Sequence, residues 1–285
     1  MSTQEYIPYR QIADNLDIES GTIIWLAADL TLLAYQAMRQ EGSFDAAAFI
    51  GSFQEKVGKN GTIVIPSFNF NLRNKEHFSR RSTTPITGAL ATEAMQKGDF
   101  VRTAHPLHSF LVWGKEAPAL RQLQNISSFG PGSPFEFLHN YQAKMLILGT
   151  KVSNAFTFVH YVEELQQVKY RKYKKINIFL EDENRWQEYL LFSKKRGWTM
   201  DMAGLEELLA ENQISSTKII NRIPCTLIDL TAALPVIRED ILKNRARNIA
   251  RFSTKLYLRE VAKSILSAVG IRTQSDKISH DTRLR

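Results

Sequence analysis

The opening stretch of the chain constrains its fold most. Gly21 to Ala28 is an apolar run of strand length, and Thr31 to Gln40 and Asp45 to Val57 read as helices. Lys59-Asn60-Gly61 is a turn, and Thr62-Ile63-Val64-Ile65-Pro66 is a strand that its proline ends. Strand, helix, helix, strand is the rhythm of an α/β layered fold. Further strands are expected at Phe110–Trp113 and Met145–Leu148, and helices at Gly88–Lys97, Ala117–Gln124 and Asp201–Glu211, the last with Leu205, Leu208 and Leu209 on one side. Ile176–Leu180 and Trp186–Phe192 read as a late β excursion, and Arg245–Ser264 as a C-terminal helix. Asn69 to Thr87 is a long polar segment with little periodicity. No linker divides the chain, so one domain is expected over 1–272, with a polar tail at 273–285.

No apolar run approaches the roughly 20 residues that cross a bilayer, so no membrane span is expected. Met1 to Asp17 has acids and no apolar centre, unlike a secretory signal. The single cysteine, Cys225, forms no internal disulfide, which fits a reducing cytoplasm. Its apolar neighbours favour an inert buried thiol over a nucleophile. The net charge of +8 invites an anion, and the basic runs 169–175, 194–196 and 243–251 carry much of it. No nucleic-acid module is visible, so a small anionic ligand fits the field better than a polynucleotide.

The run from Met145 through Gly149 to Glu164 reads as strand, loop and helix, with Ser153 or Asn154 able to cap the helix. At 100° per residue, Phe158, Val159, Val162 and Leu165 share one side. Thr157, His160, Glu163 and Glu164 fall on the other, a face the core does not claim. A histidine and two carboxylates just beyond a strand's carboxyl end occupy the usual ligand position of an open α/β sheet. A carboxylate beside an imidazole orients it and holds its proton, as a general base requires. A solvated helix face is the plainer alternative. Arg102-Thr103-Ala104-His105-Pro106-Leu107-His108-Ser109 gathers donors for a phosphate or a polarised carbonyl. Its two histidines have no cysteine and no third ligand nearby, so no metal is expected. Phosphate-loop, dinucleotide and serine-hydrolase signatures are absent.

Five motifs in register carry a resemblance. They are 62–68 (TIVIPSF), 102–109 (RTAHPLHS), 132–135 (GSPF), 146–149 (LILG) and 157–163 (TFVHYVE). In this order and spacing the chain resembles the aminoglycoside 3-N-acetyltransferase family, from about residue 16 to 211. Phe156 to Glu164 followed by Val168-Lys169-Tyr170-Arg171 is most similar to the branch associated with surface-polysaccharide gene clusters. The resemblance implies a three-layer α/β/α sandwich with a mixed sheet, acetyl-coenzyme A as donor, and an amino sugar as acceptor. It matches His160 to the family's catalytic histidine, Glu163 to the acid after it and Thr157 to the hydroxyl before it. Glu206 stands near a later acid, and His105, Ser109 and Ser133 match two further site loops. Two positions depart from the family pattern. Ala27-Ala28-Asp29 replaces a His-Ser-Ser, and Phe156 stands where Asn or Asp is common.

On this reading His160 takes the amine proton and Glu163 or Glu206 fixes its tautomer. Hydroxyls near Thr157, Ser109 or Ser67 hold the thioester carbonyl, and Arg102 and Arg171 meet the coenzyme A phosphates. Phe68 and Phe156 shape the acceptor pocket, with Arg171 at its edge. A nucleotide-linked sugar, a homodimer, an aminoglycoside acceptor, another acyl group and a non-catalytic relative all stay open.

Overall fold

The computed structural model describes residues 5–268, so the expected tail at 273–285 lies outside the described residues. Two single 3₁₀ turns precede β1 (Ile23–Ala28), α1 (Thr31–Glu41), α2 (Ala46–Val57) and β2 (Thr62–Pro66). Then come β3 (Glu76–Phe78), α3 (Ala89–Lys97), β4 (Val101–Arg102), β5 (Phe110–Gly114), α4 (Ala117–Gln122), α5 (Pro134–Asn140) and β6 (Lys144–Leu148). α6 (Val152–Ala155) and α7 (Val159–Leu165) lead into β7 (Arg171–Leu180), β8 (Arg185–Lys194), β9 (Trp198–Met200) and α8 (Ala203–Glu211). The hairpin β10 (Ser215–Ile220) and β11 (Ile223–Asp229), then α9 (Leu230–Lys243), β12 (Ala250–Phe252) and α10 (Thr254–Ala268) follow.

Seven strands form one mixed sheet in the order β10-β11-β6-β1-β2-β5-β4. β1 runs parallel to both β2 and β6, and the other pairs are antiparallel. Strand alternation splits the apolar side chains between two cores. Ile24, Leu26, Ile63, Ile65, Leu146 and Leu148 pack with Phe49 and Phe53 of α2 and Leu90 of α3. Trp25, Val64, Met145 and Ile147 pack on the other face with Phe135 of α5, Val159 and Val162 of α7, Leu205 of α8 and Ile237 of α9. Helices on both faces of a mixed sheet make the expected three-layer α/β/α sandwich. The β excursion is a separate sheet, β3-β7-β8, with a small core of Phe78, Leu107, Ile176, Ile178 and Tyr189.

Several local readings need correction. The expected helix over 145–164's second half is two pieces. Val152–Ala155 is a single turn, Phe156 leaves helical geometry at φ −76 and ψ 66, and α7 starts at Val159 behind Phe158, which gives no side-chain cap. Phe156 and Phe158 are both fully buried, and seating both rings breaks the helix between them. Neither Ser153 nor Asn154 caps it. The C-terminal helix begins at Thr254, not Arg245, because Arg245 and Ala246 take positive φ and 250–252 pairs with β9. The hairpin β10–β11 and helix α9, with Pro235 inside it, carry no reading from the sequence. In the polar segment 69–87, β3 pairs in parallel with β7.

Candidate active site

β6, β1 and β2 are adjacent parallel strands at the centre of the sheet, so their carboxyl ends lie side by side. Gly149, just past β6, holds φ +75, and a Cβ there would lie 2.4 Å from the Asp29 carbonyl oxygen. That approach requires glycine and brings the turn into α6 and α7 hard against β1.

α7 presents His160, with 19% of its side chain exposed. The Nδ1 of His160 lies 2.7 Å from Oε2 of Glu163, which is fully buried. Tyr170 donates its hydroxyl to the other oxygen of Glu163 at 2.7 Å. Arg171, at the start of β7, sets Nε 2.7 Å from Glu163 Oε2 and Nη2 2.8 Å from His160 Nδ1. Its Nη1 donates to the Phe192 carbonyl and its Nη2 approaches Met200 Sδ. The Nε2 of His160 makes no hydrogen bond among the described residues. The ring of Phe129 meets His160 edge-on at 5.3 Å.

The expected polar face of α7 is therefore a buried one. Glu163 and Glu164 are both in the interior, while Leu165, assigned to the core side, is 42% exposed. A charge enters the interior only with partners. Glu163 has three, and Glu164 takes the hydroxyls of Ser127 and Tyr173 on one oxygen. Gly130 passes so close that a Cβ would lie 2.6 Å from Glu164 Oε1.

Burial, then the charge of Arg171, pushes the His160 imidazole below its ordinary value, against the pull of Glu163. Burial alone would raise the Glu163 carboxyl, but His160, Arg171 and Tyr170 together hold it below the usual carboxylate range. The pair is thus a neutral imidazole whose Nδ1 side is occupied and whose Nε2 is free.

The other candidates separate. Thr157 lies one turn before His160, bonded to the Ala155 carbonyl, and lines the large cleft described below. Phe68 also lines that cleft, and its ring starts a row of ring contacts through His108 and Phe129 to His160. Ser67 and Ser109 are fully buried, with hydroxyls 3.1 Å apart. Arg102, expected at a phosphate, is buried beneath them. It donates to Ser109 Oγ, the Ser67 and Thr83 carbonyls and Asn69 Oδ1, and stacks on Phe78. Burial lowers its guanidinium to about 10, and its donors are committed to the chain. His105 is fully buried and lowered to about 3 by that burial, with Nδ1 accepting from the His108 amide. Ser133 is the N-cap of α5, accepting from the Glu136 amide. Phe156, expected at the acceptor pocket, is a core residue. Arg171 grips the His160–Glu163 pair rather than an external ligand. Glu206, partly buried on α8, is bonded to neither member of that pair. Burial raises the Cys225 thiol to about 11, so it carries no thiolate.

Tyr170 and Phe129 complete the cluster, two residues that the sequence does not single out for this role. The signal for Tyr170 is its place beside Arg171 within the basic run 169–175.

A cleft of about 1020 Å³ lies at the strand ends, and Thr157, one turn before His160, reaches it, while His160, Glu163, Tyr170 and Arg171 do not line it. It is lined by Asp29, Thr31, Phe68, Phe70, Gly88 and Thr157 among others. Among the described residues, no Lys, Arg or His lines it, and its charged members are Asp29, Asp45 and Glu93. The described residues hold no group of three or more His, Cys, Asp or Glu placed for a metal. None of their helices is long and apolar enough to cross a membrane.

Residues 37–241, well over half of the chain, match the family model of aminoglycoside 3-N-acetyltransferase. The chain belongs to the aminoglycoside 3-N-acetyltransferase family. It is thereby of the N-acetyltransferase class. Within that family it is similar to the SPbeta prophage-derived aminoglycoside N(3')-acetyltransferase-like protein YokD of Bacillus subtilis strain 168. The two are 23% identical over 254 residues, 79% of this chain and 91% of YokD. Its fold matches aminoglycoside acetyltransferase AAC(3)-IVa, solved as the apoenzyme, with a TM-score of 0.69 and 17% identity over 86% of this chain and 92% of that one. AAC-IIIb, solved as a binary complex with CoASH, matches with a TM-score of 0.69 and 18% identity over 88% and 99% of the two chains.

Proposed function

We propose that this chain transfers an acetyl group from acetyl-coenzyme A directly to a primary amine of an amino sugar, with His160 as general base. The observation that carries this reading is the His160–Glu163 pair at 2.7 Å in a family member, with Nε2 unbonded among the described residues and Thr157, one turn earlier, on the wall of a large cleft. Acyl transfer to an amine needs the proton removed as nitrogen attacks the thioester carbonyl. His160 Nε2 accepts that proton. The imidazolium then forms with Nδ1–H aimed at the buried Glu163 carboxylate, which stabilises it. The carbon–sulfur bond breaks and the thiolate leaves. Thr157 is the hydroxyl of the expected set that lines the cleft, so it is the side-chain candidate for the thioester oxygen. Ser67 and Ser109 are fully buried and do not line the cleft.

The donor fits the cleft. Phe68, Phe70 and Ile86 give it apolar wall for a pantetheine arm, and α3 begins there at Gly88 with no side-chain cap. The donor's phosphates lie beyond the part of the cleft that Asp29, Asp45 and Glu93 make acidic, and Arg102 and Arg171, committed to partners within the chain, do not hold them.

Two acceptor classes stand. The pattern at 156–171 supports an amino sugar of surface-polysaccharide synthesis. The carboxylates Asp29, Asp45 and Glu93 favour a cationic acceptor, such as an aminoglycoside, over an anionic nucleotide-linked sugar. Incubation with acetyl-coenzyme A and a panel of free amino sugars, aminoglycosides and nucleotide-linked amino sugars tests this, with product mass as the readout. Acetylation of a cationic member supports the reading. Acetylation of nucleotide-linked sugars alone would overturn the charge argument.

A further inference from the structure

We propose that Arg171 is a positioning residue that controls which nitrogen of His160 carries the proton, and that it must release Nδ1 to Glu163 before His160 accepts a proton from the acceptor. The proposal rests on the reading of His160 as base.

The geometry at Nδ1 is over-subscribed. Glu163 Oε2 lies 2.7 Å away and Arg171 Nη2 lies 2.8 Å away. A ring nitrogen has one in-plane position, filled by a hydrogen or by a lone pair. If Arg171 donates to it, Nδ1 is an acceptor, the hydrogen sits on Nε2, and the face toward the acceptor is a donor. If Nδ1–H donates to Glu163, Nε2 carries the lone pair and can act as base. The two contacts therefore belong to two tautomers.

Arg171 itself shows an unfinished fit. Its Nε is 2.7 Å from Glu163 Oε2 but is not aligned for a hydrogen bond, and is buried without another partner. A small rotation that aligns the guanidinium fork on Glu163 satisfies Nε and frees Nδ1. The same side chain is tied to the β excursion through the Phe192 carbonyl in β8, and to β9, which pairs with β12, through Met200 Sδ. Movement of that excursion around an acceptor would thus be passed to the histidine.

The charged and titratable groups facing His160 are Glu163 on its own helix, Arg171 on β7, Lys194 on β8 and His108 in the loop before β5. Arg171 is the cation in contact with the ring.

Nitrogen-15 NMR of the His160 ring at neutral pH, in the wild type and in Arg171→Gln and Arg171→Lys, tests the proposal without turnover. The wild type should show mainly the Nε2–H tautomer, and both variants should shift toward Nδ1–H. Lysine keeps the charge beside Glu163 but cannot contact both partners with a planar fork, so it serves if the glutamine protein fails to fold. An unchanged tautomer in the folded variants would overturn the proposal. In the kcat/KM pH profile, Arg171→Gln should move the acid midpoint upward by about 1 unit or more, since a cation in contact is removed. Arg171→Lys should keep the midpoint, because the positive charge beside the ring is retained. A uniform loss at every pH with no midpoint change in Arg171→Gln would mark a structural role and overturn the proposal. Failure of the base assignment itself would show differently, as turnover surviving in His160→Ala.

Discussion

At His160 two forces act on one ring. Burial and Arg171 favour the neutral form, and Glu163 favours the charged one, with the first pair prevailing. A base works only when neutral. The acid limb of kcat/KM is therefore expected below about pH 6.5, the ordinary imidazole value, so activity persists further into acid than an exposed histidine would permit. A limb above that value would mean that Glu163 dominates. Glu163→Gln keeps the shape of the side chain but removes the charge that stabilises the imidazolium. It should lower kcat by about 10²- to 10⁴-fold with KM little changed, and steady-state kinetics would show it. Cys225→Ser should leave turnover intact, because a thiol raised to about 11 by burial is no nucleophile at neutral pH.

Among the elements, the central strands and the helices that flank them were legible because their apolar residues repeat at two or at three to four. The elements missed lacked such a signal. α9 has Pro235 in its interior, yet Leu230, Ala233 and Ile237 bury one side of it well enough to keep it helical. β10 is an edge strand with mostly exposed residues, so it shows no alternation. In the candidate site, the contact of His160 with Glu163 was legible from their spacing of three, and Thr157's place one turn before it from the motif. The destinations of Arg102, Phe156 and Arg171 were not, because each depends on partners distant in sequence, and Ser133 was read as a site residue although its cap partner, the Glu136 amide, lies only three residues on. Arg102 locks the 67–69 and 83–84 segments to β4, while Ser133 caps α5. Ser133→Ala should cost about 1 kcal/mol in urea unfolding and leave kcat unchanged. A lost activity at full stability would return Ser133 to the chemistry.

For the molecule as a whole, buried histidines couple stability to pH. His105 is lowered to about 3 in the folded state, and an unfolded histidine titrates near 6.5. Its folded value is depressed, so the unfolded chain binds the proton first and stability is lost as pH falls below about 6.5. Between pH 7 and 5 His105 alone removes about 2 kcal/mol. His108 and His160 act in the same direction. Urea midpoints should fall over that range, and His105→Asn should flatten the fall if its own replacement folds. The charge pattern is also a property of the whole. A chain of net charge +8 carries a cleft whose charged lining is acidic. Glu93→Gln should raise KM for a cationic acceptor several-fold with little change in kcat, and the effect should shrink at high salt.

The most direct test is thiol release from acetyl-coenzyme A by the wild type and by His160→Ala, each with a multi-amine aminoglycoside and with simple amino sugars as acceptors. Acceptor-dependent release by the wild type that falls at least 10²-fold in the variant, with coenzyme A affinity kept, is the predicted result. Equal release by both proteins would contradict His160 as the base.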